Sequence, residues 1–194
     1  QQLFFYVQIF NEVENKHVYN TLFDSLLHIQ CSIDIHDQID IRFNANMADE
    51  LLEENQLKIL VGDFHSAMFY KLLTKNDQLN ALYHFIQTIK DINKSKMSLI
   101  HYHDLEQKDI SKQFNNLELI IVGLYDSLAT FLNIHDYEAK WKPLILYYLL
   151  YSRSDLFWSN LIKNLSDDHY KEFEVRKNRL TDQIDHHLIP EILR

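Results

Sequence analysis

Residues 79–103, LNALYHFIQTIKDINKSKMSLIHYH, carry the clearest structural signal in this chain. Large apolar side chains recur there at alternating steps of three and four residues, which is the spacing of one face of an α-helix. A second apolar line runs beside the first, so the predicted helix has a wide apolar face. The sequence predicts one long helix here, with contacts on two sides. The main line consists of Leu82, Phe85, Ile89, Ile92, Lys96 and Leu99.

The same spacing continues along most of the chain. We predict further helices over 2–13, 18–40, 57–74, 105–133, 136–151, 154–165 and 167–187, and a polar, mobile loop over 42–56. In the helix 57–74 the apolar residues share one face, which we expect to be buried. That face consists of Leu57, Leu60, Val61, Phe64, Ala67, Met68 and Leu72.

Glycine and proline are scarce, with 2 of each among 194 residues. Strand-rich folds need many tight turns, and tight turns draw on Gly, Asn and Pro. The hydrophobic content of 46% is enough to build a core. We find neither an internal repeat nor a linker-like stretch. The sequence therefore predicts an all-α fold, a helical bundle forming a single domain over residues 1–194.

The charge balance is acidic, with 28 acidic and 19 basic residues and a net charge of −9. Such a field repels nucleic acid, so we expect no DNA or RNA partner. The one cysteine, Cys31, cannot form an internal disulfide, which fits a reducing cytoplasm. We find no signal peptide and no apolar run near the roughly 18 residues that span a bilayer. We expect a cytoplasmic protein without a transmembrane segment.

Three aspartates, Asp34, Asp37 and Asp40, lie three residues apart on the predicted helix 18–40. At 100° per residue, the first and last point about 120° apart around the helix axis. A DDxxD motif instead sets its first and last carboxylates four residues apart on one face, where both can bind Mg²⁺. If Asp37 is the first position, the others are Gln38 and Ile41. We therefore predict a degenerate motif, no metal site and no catalytic residue.

Three His-Asp pairs offer an alternative, because metal-dependent phosphohydrolases of the HD type use such a pair on an all-α scaffold. The pairs are His36-Asp37, His103-Asp104 and His135-Asp136, with His28 upstream of the first. With 11 histidines in the chain, chance pairs are expected. No GxSxG, HExxH, CxxC or glycine-rich phosphate loop is present. An HD-type hydrolase and a helical adaptor protein remain the alternatives.

A family resemblance rests on three segments, taken in their order along the chain. They are IDIH followed by Asp37, LVG followed by Asp63, and TIKDIN followed by Lys94. Together they resemble the small subunit, component 1, of bacterial heptaprenyl diphosphate synthase, and the hexaprenyl synthase has a similar small subunit. The resemblance is strongest over 26–101 and continues more weakly through Gly123 and Trp141-Lys142. The overall resemblance favours a heptaprenyl over a hexaprenyl product, but the sequence does not fix the product length.

The resemblance implies a fold similar to a truncated trans-prenyl diphosphate synthase. It also implies a heterodimer, in which a large subunit, component 2, carries both aspartate-rich motifs and the Mg²⁺ ions. That complex elongates farnesyl diphosphate with isopentenyl diphosphate for the side chain of menaquinone. This chain departs from a full synthase: only Arg42 follows the first motif, and Asp167-Asp168 lack a third carboxylate. We therefore expect the isolated chain to be inactive and to bind no cofactor.

A chain without catalytic ligands would act through an interface. We predict that the helix 79–103 lies there, because homodimeric synthases pack comparable helices across their dimer axis. The predicted contact residues are Leu82, Phe85, Ile89, Ile92 and Lys96.

Overall fold

The computed structural model describes residues 16–39, 49–100, 110–151 and 167–184. Within these ranges no strand occurs, which confirms the predicted all-α class. The predicted helices 2–13 and 154–165 lie outside the described residues. The helices are α1 (Lys16–His36), α2 (Asp49–Lys75), α3 (Leu79–Ile100), α4 (Ile110–Phe131), α5 (Lys142–Leu146) and α6 (Asp167–Gln183). Two π-helical segments, Tyr137–Trp141 and Tyr147–Tyr151, flank α5.

The chain divides into two compact units, one of residues 15–83 and one that includes residues 84–194. The boundary falls near the start of α3. The single domain over 1–194 stays a prediction.

In the first unit, α1 and α2 pack side by side and run antiparallel. The apolar core of α1 is Tyr19, Leu22, Leu26 and Ile29, all buried and spaced three, four and three residues apart. Helix α2 contributes Phe69 and Leu73, which are completely buried. This spacing is the periodic signal that predicted α1.

Helix α2 begins earlier than we predicted. Residues 49–56 belong to α2, and this part of the predicted loop 42–56 is therefore wrong. The segment is polar because it forms the largely solvated first two turns of the helix, and its Leu and Glu residues are good helix formers. Residues 42–48 of that loop lie outside the described residues.

Asp77 ends α2. Its backbone adopts a left-handed conformation with φ of 55°, which closes the helix. The Gln78 N–H donates to the Leu73 carbonyl at 2.8 Å, and the Asp77 N–H donates to the Thr74 carbonyl at 3.2 Å. These two bonds form a Schellman motif, in which Asp takes the place that glycine usually occupies. Asn133 ends α4 in the same way, with φ of 52°.

The face of α2 that packs on α1 is not the one we predicted. Leu57, Leu60 and Phe64 are 61%, 67% and 58% exposed, so the predicted burial of this face is wrong. The buried face instead carries Phe69 and Leu73, with the smaller Asn55 and Gly62. It lies on roughly the opposite side of the helix, at 100° per residue. We call the exposed set, Leu57, Leu60, Val61, Phe64 and Ala67, the 57–67 stripe.

Polar groups on α1 give the physical reason for this choice of face. Ser32 is 2% exposed, and its hydroxyl is 2.8 Å from that of Ser66 on α2. An apolar stripe in that position would leave the buried Ser32 hydroxyl without a hydrogen-bond partner, which costs about 1–3 kcal/mol. The polar side chains of α1 therefore select the mixed face of α2.

In the second unit, α3 and α4 pack closely around aromatic and small residues. Phe85 is completely buried, with its ring 5.7 Å from that of Phe131. Gly123 lets α4 approach α3: a Cβ there would lie 3.1 Å from the side chain of Ile92. Helix α6 is attached by Arg176, which bonds Glu118 on α4 at 3.0 Å. The Arg176 guanidinium also lies over the Phe114 ring, at 5.4 Å.

No helix in the described part of the chain combines the length and the apolar character needed to span a membrane.

Two phenylalanines on α2 test which face is packed. We expect Phe69→Ala to lower the free energy of unfolding by about 3–5 kcal/mol, because it leaves a cavity in the core. Phe64→Ala, the matched control from the exposed face, should change it by no more than about 0.5 kcal/mol. Urea unfolding of the isolated chain measures both. Equal losses would restore the predicted burial of the 57–67 stripe.

Candidate functional site

The degenerate aspartate motif lies at the C-terminal end of α1. Asp34 accepts a hydrogen bond from Gln30, one turn earlier, at 2.8 Å. Asp37 follows the last turn and is half-buried, whereas the Gln38 side chain is exposed. The Gln38 carbonyl accepts a long hydrogen bond of 3.4 Å from Lys58. Asp40, Ile41 and Arg42 lie outside the described residues.

Metal-ligating side chains do not gather at this end of α1 as far as the described residues extend. Across those residues, no group of three His, Cys, Asp or Glu side chains could hold a metal ion. Because Asp40 and Ile41 are not described, the absence of a metal site stays a prediction.

A row of three polar pairs joins α1 to α2 at this place. The Nδ1 atoms of His28 and His65 are 2.8 Å apart. The hydroxyls of Ser32 and Ser66 form the second pair. In the third, His36 Nε2 is 3.5 Å from Asp63 Oδ1. The members on α1 are four residues apart, so they form one line along the helix. The polar side chains near the degenerate motif are thus engaged in helix pairing.

Gly62 explains how the His36 imidazole fits against α2. A Cβ at position 62 would lie 2.6 Å from His36 Nε2, closer than nonbonded atoms approach. The ring therefore occupies the space that any other residue at position 62 would fill. The Gly62-Asp63 pair, part of the family-like pattern, provides the space for His36 and a carboxylate 3.5 Å from its Nε2 atom.

Two titratable groups on α1 respond to this packing. Burial lowers the pKa of His28 and nearby His65 lowers it further, whereas the charge of Asp24 raises it. Loss of solvation raises the pKa of the Cys31 thiol, and the Asp34 carboxylate adds to the effect. A raised thiol pKa disfavours the thiolate, so Cys31 is poorly suited to nucleophilic catalysis.

The predicted interface residues of α3 have two different environments. Phe85 is 0% and Ile92 is 1% exposed, so both side chains belong to the core of this chain. Leu82, Ile89 and Lys96 are half-buried. Contact between α3 and a partner stays a prediction. Of the five predicted contact residues, these three are partly accessible.

A half-buried polar cluster in the second unit escaped the sequence analysis. Asp126 on α4 accepts a hydrogen bond of 2.8 Å from the Tyr137 hydroxyl and lies 2.9 Å from Lys142 Nζ. Lys142 also pairs with Glu138 at 3.1 Å. The cluster fixes the first π-helical segment and α5 on α4. A signal was present in the Trp141-Lys142 match, but nothing local linked Lys142 to an aspartate 16 residues away.

The environment of this cluster shifts three pKa values. Burial raises the pKa of Asp126, opposed by its hydrogen bond and ion pair with Lys142. Burial and the Asp126 carboxylate raise the pKa of Tyr137 well above its usual range. Burial alone would lower the pKa of Lys142, but its hydrogen bonds and ion pairs with Asp126 and Glu138 together outweigh burial and raise it. The arrangement suits structural support, because Asp126 already has two partners.

A shallow pocket of about 240 Å³ lies between α3 and α4. Thr88 donates a 2.8 Å hydrogen bond to Ser127 inside it, and His84 lies 3.1 Å from the Ser127 carbonyl. Two carboxylates in the lining would repel a diphosphate. The lining residues are His84, Thr88, Asp91, Leu119, Gly123, Asp126, Ser127 and Thr130.

The structure describes two of the three His-Asp pairs of the hydrolase alternative, one in each unit. His36 is used at the pairing of α1 with α2. His135 and Asp136 are exposed in the turn after α4. His103 and Asp104 lie outside the described residues.

The His28–His65 pair should make stability depend on pH. Because folding lowers the pKa of His28, the neutral imidazole adds to the free energy of unfolding above about pH 6.5. This stabilisation is lost as the pH falls through the folded-state pKa. We expect His28→Gln to flatten this acid limb of the unfolding free energy, measured in urea from pH 7 to pH 5. His135→Gln, in an exposed turn, is the control that should keep the wild-type slope. An unchanged slope in His28→Gln would contradict this role.

Tyr137 should have the opposite effect at alkaline pH. Its raised pKa favours the folded state below about pH 10, and this contribution is lost as the pH rises through the folded-state pKa. Lys142 acts in the same direction, so Tyr137→Phe should reduce the alkaline loss of stability without abolishing it. Urea midpoints between pH 9 and pH 11 measure the difference. A wild-type slope in Tyr137→Phe would show that its hydroxyl does not control the alkaline limb.

Comparison with known proteins agrees with this picture. The family model described as heptaprenyl diphosphate synthase (HEPPP synthase) subunit 1 matches residues 1–187. A curated relative, "Heptaprenyl diphosphate synthase component 1" of Geobacillus stearothermophilus, is 24% identical over 130 residues. The match covers 66% of this chain and 53% of that protein, so the chain spans about half the length of this relative. No solved structure matches.

The family match covers nearly the whole chain and includes the α1–α2 pair, where Gly62 and Asp63 accommodate His36. The chain belongs to the family of heptaprenyl diphosphate synthase subunit 1.

Proposed function

We propose that this chain is the non-catalytic subunit of a heterodimeric heptaprenyl diphosphate synthase. With a large catalytic subunit, component 2, it supports the elongation of farnesyl diphosphate by isopentenyl diphosphate for the side chain of menaquinone. The complex is a trans-prenyltransferase that works in the cytoplasm. Membership of the subunit 1 family supports the proposal, and "component 1" in the relative's name implies a second component.

One observation supports the non-catalytic role: polar side chains at the end of α1 contact other side chains of the same chain. Prenyl transfer begins when a diphosphate leaves the allylic substrate, and this step needs its negative charge neutralised. At this end of α1, Asp34 accepts from Gln30 and His36 pairs with Asp63, so these groups do not converge on an ion. In our proposal the catalytic subunit supplies the Mg²⁺-binding motifs and all of the chemistry.

Reconstitution tests this function. The full chain and the catalytic component are purified separately and supplied with farnesyl diphosphate and radiolabelled isopentenyl diphosphate. We expect long-chain product only when both proteins are present, because neither holds a complete enzyme. Reversed-phase thin-layer chromatography of the dephosphorylated product gives the chain length and distinguishes heptaprenyl from hexaprenyl.

The controls are each protein alone. Equal long-chain product from the catalytic component alone would contradict the proposal. Tightly bound, stoichiometric metal in the isolated chain, together with phosphohydrolase activity, would favour the HD-type alternative.

A further inference from the structure

Helix α2 is apolar on two sides, and α1 covers only one of them. Phe69 and Leu73 face the core, while Leu60 and Phe64 are 67% and 58% exposed on roughly the opposite side. The 57–67 stripe extends over about 15 Å of helix, and contiguous exposed apolar patches of this kind mark interaction sites.

Charges at the two ends of the stripe have opposite signs. Glu53 and Glu54 precede it, and Lys71 and Lys75 follow it along the same side of α2. All four side chains are exposed. An antiparallel partner helix would bring its first turn to the lysines and its last turn to the glutamates. The arrangement therefore fits a helix with an apolar centre, an acidic start and a basic end, which is the polarity that the helix dipole favours.

The candidate occupants are a second copy of the chain and the catalytic component of the proposed function. Self-association would bring together two chains that each carry a net charge of −9, and this repulsion opposes it. The family and the relative are named as subunit 1 and component 1, which calls for a different second subunit. These two arguments favour the catalytic component.

We propose that the 57–67 stripe is the surface on which the catalytic component docks, through an antiparallel helix with an apolar centre. This inference rests on the proposed function. A stable interface buries roughly 800 Å² on each partner, so the contact extends beyond the stripe.

The double variant Leu60→Glu/Phe64→Glu tests the stripe. Both side chains are exposed, so we expect the isolated variant to keep its helicity and its urea midpoint. Two carboxylates in the centre of an apolar interface should weaken binding to the catalytic component by roughly 100-fold or more. Isothermal titration calorimetry with the purified catalytic component measures the affinity, and the reconstituted prenyl transfer assay should lose activity in parallel.

The matched control is Tyr170→Glu/Val175→Glu on α6, where the two side chains are 55% and 52% exposed. It introduces the same charge and should bind as the wild type. A second test reverses the charges that flank the stripe: Lys71→Glu/Lys75→Glu should weaken binding several-fold, and more so at low salt than at high salt.

The outcomes separate this inference from the function on which it rests. If the wild type binds and activates the catalytic component and Leu60→Glu/Phe64→Glu does so equally well, the stripe is not the docking surface and the function stands. If the wild type neither binds nor activates it, the proposed function fails and the inference fails with it. If the isolated chain is a dimer that only the stripe variant dissociates, the occupant is a second copy and the inference is overturned.

Discussion

The pairing of α1 with α2 is the constraint on which the rest of the first unit depends. Helix α2 has two apolar sides, and the polar residues of α1 decide which one is packed. Ser32 is buried against Ser66, and His28 and His36 lie within reach of His65 and Asp63. A purely apolar surface in that position would leave the Ser32 hydroxyl unsatisfied, at a cost comparable to a substantial part of a domain's net stability. The larger apolar stripe is therefore directed away from α1.

Gly62 shows how the few glycines of this chain are used. In most proteins glycine closes helices, but here Asp77 and Asn133 take the left-handed conformation at two helix ends. Gly62 and Gly123 lie inside helices, where a Cβ would meet a side chain of the neighbouring helix. Each glycine costs about 1 kcal/mol of helix propensity relative to alanine, and the close approach of the two helices offsets that cost. The family-like Gly-Asp pattern on α2 thus serves the packing of the two helices. Gly62 leaves space for the imidazole of His36, and the Asp63 carboxylate lies 3.5 Å from it.

Periodicity predicted the helices well and their buried faces less well. The steps of three and four residues located α1, α3 and α4, because each carries a regular apolar line that lies in its core. The second apolar line of α3, with Leu79, Tyr83 and Met97, is exposed. They failed on α2, where the stronger apolar line, with Leu60 and Phe64, is the exposed one. Periodicity shows that a helix face is apolar, but it does not show whether that face packs inside the chain or is exposed. The Asp126–Tyr137–Lys142 cluster was missed for a related reason: its members come from different elements, and only the tertiary fold brings them together.

The main apolar line of α3 and the 57–67 stripe of α2 differ in burial. On α3 the line with Phe85 and Ile92 is the most regular in the chain, and both side chains are completely occupied by the internal core. On α2 the line with Leu57 and Leu60 is less regular, yet it is exposed. A side chain that fills its own core cannot also anchor a partner, because hot spots need apolar area that is still in water before binding. The 57–67 stripe of α2 still has apolar area in water, and this exposure is the physical basis of our proposal that a partner docks there.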